Sequence, residues 1–150
     1  MKNKTAKKIL EIIYGRRCFM EAAGIRIRGA KTLDHTLTYH HIIPVSAGGQ
    51  TTLKNGAVLA RYNHDWLHQQ PPHIQDEINE QLQEYKLNCD FAKLIIKDNG
   101  AIDFEKLDEI IDGEIPPSIK VYSNSILKPA EMRKLRYLRS QRSYLEEEDR

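Results

Sequence analysis

Four of the six histidines of this 150-residue chain fall within 29 residues, as the adjacent pair His40-His41 and the pair His64 and His68. The second pair is spaced i, i+4, so on a helix both imidazoles project from one face and can grip one metal ion. The first pair closes a stretch rich in threonine and apolar residues, where an extended strand is expected. Successive strand residues face opposite ways, so one of the two can turn toward a metal while the other faces whatever lies beside it. That is the geometry of a ligand next to a general base.

The rest of the pattern places these residues on elements. Ile9, Leu10, Ile12 and Ile13 within residues 5–14 predict an amphipathic helix ending near Gly15. Cys18 to Ile27 reads as a turn-rich strand region punctuated by Gly24 and Gly29. Leu33 to Ile43 predicts a strand, Pro44 and Gly48-Gly49 a loop, and Ala57 to Ala60 a short apolar strand. Asn63 suits the N-cap of a helix through His68, stopped by Pro71-Pro72. Further helices are expected from Pro72 to about Leu87, over Phe104–Ile111 and over Pro129–Leu145, with Glu146 to Arg150 frayed.

Three imidazoles leave coordination positions open, as a catalytic metal site requires. Those positions suit a phosphate and its departing oxygen, and an unligated imidazole can take a proton from an attacking water. Asn55 lies fourteen residues after His41, at the far end of the loop, where its amide can fix both loop and base. The H-E-x-x-H pattern of metalloproteases is absent, because Asp65 stands where its Glu would be. Imidazole ligands without a carboxylate suit Zn²⁺, Ni²⁺, Mn²⁺ or Co²⁺ better than Mg²⁺, so Mg²⁺ alone is disfavoured.

Tyr39-His40-His41-Ile42-Ile43-Pro44-Val45-Ser46-Ala47-Gly48-Gly49, then Leu53-Lys54-Asn55-Gly56, then Asn63-His64 and His68, together resemble the HNH endonucleases. The likeness covers roughly residues 10–70 and is most similar to the colicin-type members. It implies an α+β fold: a ββα-metal (His-Me finger) core with an N-terminal helix and additional C-terminal helices. It also implies His40, His64 and His68 as metal ligands, His41 as general base, and Asn55 as the residue orienting base and loop. A single divalent metal ion and cleavage of DNA to a 5′-phosphate follow from the same resemblance. Many relatives frame this motif with two C-x-x-C pairs around a structural zinc. The matching positions are Cys18 with Glu21 and Ala60 with Asn63, one thiol of four, so a Cys₄ zinc cannot form. Packing by Trp66, Leu67 and the N-terminal helix is expected to take its place.

The chain divides into a core, residues 1–72, and a mostly helical extension, 73–150, which either packs on the core or forms a DNA-binding arm. Residues 1–72 carry 11 Lys and Arg against 4 Asp and Glu, and residues 73–114 carry 4 against 12. The remaining segment, 115–150, carries 8 against 5, with Arg133, Lys134, Arg136, Arg139 and Arg142 on its expected helix. Those cations can neutralise backbone phosphates of double-stranded DNA, or they can pair with the acidic segment. Apolar content of 40% with 29% charged residues fits an ordinary soluble globular domain. No run approaches the roughly 20 apolar residues of a membrane span, and no signal-peptide core follows the basic Met1–Lys8, so a cytoplasmic location is expected. Cys18 and Cys89 read as reduced thiols. Cutting both strands calls for two copies, hence a homodimer, or for two visits. Two other functions fit the pattern less fully: an inactive HNH-derived DNA-binding module, and a histidine-rich structural metal protein.

Overall fold

A computed structural model describes residues 1–113 and 127–148 of the chain. It is a mixed helical protein with one small antiparallel sheet. Helix α1, Asn3–Tyr14, buries Thr5, Ala6, Ile9, Leu10 and Ile13, which recur at helical spacing along one face. Strand β1, Leu37–His41, pairs with β2, Gly56–Ala60, in a register that sets His40 opposite Ala57 and His41 opposite Gly56. All five β2 residues are buried, as a strand covered on both faces requires.

β2 runs directly into helix α3, Arg61–His68, with no side-chain cap. The first N–H groups of a helix lack internal partners. Here the Arg61 and Tyr62 amides donate to Thr36 O at 2.8 Å and Asp34 O at 3.0 Å, tying the helix start to the chain entering β1. Asn63 is therefore not the N-cap. It lies inside α3, 2% exposed, and its Nδ2 donates to Cys18 Sγ at 3.1 Å. Beside that contact, the Tyr62 hydroxyl donates to Glu21. Two of the four positions that resemble a zinc frame, Cys18 and Asn63, are thus joined by a side-chain hydrogen bond, while Glu21 is bonded to Tyr62. Leu67 is buried next to them, and Trp66 is half-buried with its indole N–H on Arg28 O.

Two strand expectations are corrected. Cys18–Ile27 is not extended: it contains a short helix α2, Phe19–Ala22, whose consecutive Phe19 and Met20 are both fully buried, against a strand's alternation. Residues 33–36 do not join β1, because β2 ends at Ala60, the partner of Leu37, and the chain then turns into α3.

Helix α4, Pro72–Leu87, matches the expected span and turns Ile78, Leu82 and Lys86 inward. Helix α5, Asp90–Ile95, has no counterpart in the sequence reading; a bridge between Ile96 and Ile102 leads from it to α6, Phe104–Ile111. Gly100, in this turn, accepts from the Leu53 amide at 2.9 Å. It has φ +80°, and a Cβ there would meet Thr52 Cβ at 2.6 Å, so only glycine seats the turn this close. The expected helix over Pro129–Leu145 divides into α7, Pro129–Ser140, and α8, Arg142–Glu148. The Ser140 hydroxyl takes Tyr137 O at 2.6 Å, in competition with the backbone, and the helix breaks at Gln141. α8 carries helix through Glu146 and Glu147, and the Arg142–Glu146 pair at 3.1 Å spans one of its turns. Residues 149–150, at the end of the frayed tail expected from sequence, lie outside the described residues, as do 114–126 of the extension.

The core runs without a break from α1 and β2 through Leu82, Ile95 and Leu107 to Leu135 and Leu138 of α7. The described part of the extension therefore packs on the core. Among the described residues no helix is long and apolar enough to cross a membrane.

Candidate metal centre

His40 lies on the β1 face that meets α3, and α3 presents His64 and His68 one turn apart. One ring nitrogen from each of the three lies within 4.8 Å of the others. The ring centroids are 5.1 Å apart for His40–His64, 4.7 Å for His64–His68 and 5.8 Å for His40–His68. Zn–N bonds of about 2.0–2.1 Å in a tetrahedron need nitrogens about 3.4 Å apart, so small side-chain shifts close the set on one ion.

The proton inventory fixes which nitrogens are available. The Thr38 hydroxyl gives its single proton to Leu59 O at 2.7 Å, so at 2.8 Å it accepts from His64 Nδ1–H. His64 Nε2 then carries the lone pair. His40 Nε2–H donates to Asn79 Oδ1 at 2.8 Å. Its Nδ1 is buried with no partner among the described residues, an orphan that a cation would satisfy. Burial pushes the His40 pKa down to about 4 against the opposing pull of Asn79, and pushes His64 down to about 3 with help from the neighbouring imidazoles. Both are neutral at pH 7, the form that ligates. His68 is the exposed member of the set, on its solvent side. A divalent cation of the imidazole-preferring kind fits these donors.

His41 faces the other way, edge-on to Tyr39 with centroids 4.9 Å apart. Thr51 Oγ1 donates to Asn3 Oδ1 at 2.8 Å and accepts from His41 Nε2–H at 2.9 Å. That leaves His41 Nδ1 with the lone pair, and burial lowers its pKa so that the ring is neutral. Asn55 does not hold this ring. Its Oδ1 accepts from Ile43 N at 2.7 Å, and its Nδ2 donates to Ile43 O at 3.0 Å and Gln50 O at 2.9 Å. The amide is spent on the loop backbone, so its expected role divides: Asn55 staples the loop and Thr51 holds the imidazole. Gly49 completes the staple, since a Cβ there would collide with the Ile43 carbonyl.

Thr38, Thr51, Asn3 and Asn79 were not singled out from sequence. Thr38 had a signal, sharing a strand face with His40 at i, i+2. Asn79 had none, being 39 residues away on α4. A side chain that orients a ligating imidazole tunes its affinity, so Asn79→Ala, which removes the acceptor for His40 Nε2–H, is expected to weaken metal binding about 10–100-fold, read by competition against a chromophoric chelator. An unchanged affinity would remove Asn79 from the site.

The candidate nucleic-acid residues lie apart from this cluster on α7 and α8, and three have partners within the protein. Lys134 Nζ donates to Ile13 O at 3.1 Å, at the C-terminal end of α1. Arg139 pairs with Asp112 at 3.0 Å and Asp108 at 3.7 Å, and Arg142 lies 4.8 Å over the Phe104 ring. Arg133 and Arg136 are exposed on α7.

No protein-family model, no curated protein and no solved structure matches the chain.

Proposed function

We propose that the protein is a metal-dependent DNA endonuclease of the HNH type, built on a ββα-metal core. The observation that carries this reading is the division of labour at the end of β1. His40 joins His64 and His68 in one cluster of ligand atoms, while His41, its neighbour, stands on the opposite face with Nε2 tied down and Nδ1 bearing a lone pair. A purely structural metal site gives no role to a second, separately anchored imidazole or to a loop stapled by three Asn55 hydrogen bonds.

His40, His64 and His68 would hold the ion, which when bound stabilises the charge developing on the phosphate and on the departing oxygen. His41 Nδ1 accepts a proton as a water oxygen bonds to phosphorus; the P–O3′ bond breaks, leaving a 5′-phosphate and a 3′-oxygen that takes a proton from solvent. The Thr51–Asn3 chain fixes the ring through this transfer. The basic residues of segment 1–72 supply sequence-independent attraction for the DNA backbone. Arg133 and Arg136 are the cations of α7 left to add to it.

The test is nicking of supercoiled plasmid by metal-stripped protein, alone and with Mg²⁺, Mn²⁺, Ni²⁺, Co²⁺ or Zn²⁺. Cleavage is expected only with added metal, and with at least one of the imidazole-preferring ions. Binding of the plasmid without cutting under every metal would replace this reading with that of an inactive DNA-binding module.

A further inference from the structure

A cavity of about 340 Å³ opens beside the histidine cluster, sharing His68 with it. Its size lies within the range of about 300–1,000 Å³ typical of small-molecule sites. Its walls come from α3, through Tyr62, Asp65, Trp66 and Gln69, and from Lys31 and Thr32 of the irregular segment before β1. The metal centre uses none of these side chains.

Their chemistry is mixed in a particular way. Trp66 and Tyr62 are half-buried rings whose polar ends are already occupied, the indole N–H on Arg28 O at 3.0 Å and the phenol on Glu21. The rings are thereby held in place, Tyr62 also packing edge-to-face with His35 at 5.1 Å between centroids, and both line the cavity. Asp65 is an exposed carboxylate that accepts N–H groups; Gln69 and Thr32 both donate and accept; Lys31 is an exposed cation. Fixed aromatic surface, edge-reading polar groups and one cation together are what a nucleobase with its phosphate requires. A paired base presents neither its face nor its Watson–Crick edge, so only an unpaired or extruded base can enter.

We propose that this cavity holds an unpaired nucleobase of the strand being cut, stacked on the Trp66 and Tyr62 side with its N–H edge toward Asp65 and its phosphate toward Lys31. The inference rests on the nuclease reading for one point, the placement of that base next to the scissile phosphate, which follows from the shared His68. The enzyme then favours strands with a flipped, bulged or single-stranded nucleotide at the cut over perfect duplex.

The chain has a single tryptophan, so Trp66 reports on the cavity directly. The experiment titrates the full-length, metal-stripped protein with dGMP, whose N1–H and N2–H₂ give a carboxylate two donors, and with deoxyribose 5-phosphate as the probe lacking a base. dGMP is expected to quench the emission saturably and the sugar phosphate to leave it unchanged. Asp65→Ala and Lys31→Ala, both at exposed positions, are each expected to weaken the dGMP midpoint about tenfold, with metal affinity unaltered. In the cleavage arm, a bulged nucleotide at the cut site is expected to raise nicking over perfect duplex at least about tenfold, since it avoids the cost of unpairing. Equal quenching by the sugar phosphate would overturn the base site in favour of a phosphate site. Nicking of DNA with no dGMP quenching would overturn it while leaving the nuclease intact. Saturable quenching with no cleavage under any metal would keep the base site and remove the nuclease.

Discussion

Replacing His41 by alanine is expected to lower metal-dependent nicking by about 10²–10⁴-fold, the range a positioned general base contributes, without changing metal affinity. The two halves of this expectation come from one strand. His40 and His41 are adjacent on β1 and point to opposite faces, so truncating one ring does not touch the cluster that the other joins. Nor does it threaten the fold, since His41 is only partly buried and its one side-chain hydrogen bond is to the Thr51 hydroxyl, which keeps Asn3 as a partner. Plasmid nicking and a metal competition titration on the same variant check both halves. If metal affinity falls together with activity, His41 lies on the ligand side and the base must be sought elsewhere. If nicking persists at the wild-type rate, proton transfer does not pass through this imidazole.

The clustering of His40, His64 and His68 was legible because its information is local. The i, i+4 spacing of His64 and His68 needs only that α3 be helical, and Pro71-Pro72 beyond it marks where that helix stops. The opposite facing of His40 and His41 needs only that β1 be extended. What was not legible depends on partners far away in sequence. Asn79 reaches His40 from α4, and Asn3 reaches Thr51 across 48 positions, pairings that no periodicity encodes. Asn55 was singled out correctly as a loop residue but wrongly as the holder of His41, because one amide satisfies either a loop backbone or a ring, and only the fold shows which. Asn63 misled for a related reason: asparagine is a good N-cap, but β2 enters α3 without a loop, and the residue was needed inside for Cys18. For the α7 cations the sequence left two roles open, a DNA surface or pairing with the acidic segment; Arg139 takes the second with Asp108 and Asp112, and Lys134 caps α1 at Ile13 O, partners that no local pattern singles out.

Lys86→Met is expected to destabilise the protein by about 3–5 kcal/mol, the cost of leaving three buried carbonyls without their shared donor, partly relieved by water. Lys86 is 6% exposed on the inner face of α4. Its Nζ donates to Leu53 O at 2.7 Å, Lys54 O at 2.7 Å and Gly56 O at 2.6 Å, the carbonyls on both sides of Asn55. Two effects of opposite sign meet there. Burial disfavours the ammonium and pushes its pKa down to about 7, while three charge-assisted hydrogen bonds favour it by about 1.5–3 kcal/mol each. Methionine keeps the apolar stem and removes the desolvation cost, but it strands three carbonyls that converge on one point, at about 1–3 kcal/mol apiece if they stay dry. The cavity of about 400 Å³ that Lys86 lines lets water relieve part of this, which places the expectation well below the full sum. A urea melt reads the result as a lower midpoint with unchanged slope. Because the target is the loop and not the histidine cluster, the folded variant is expected to match the wild type in metal affinity. A midpoint equal to the wild type would mean that desolvation of the ammonium cancels its three hydrogen bonds. The turn around Asn55 would then be held by Tyr39, whose hydroxyl donates to Thr52 O at 2.8 Å, and by the amide of Asn55 itself.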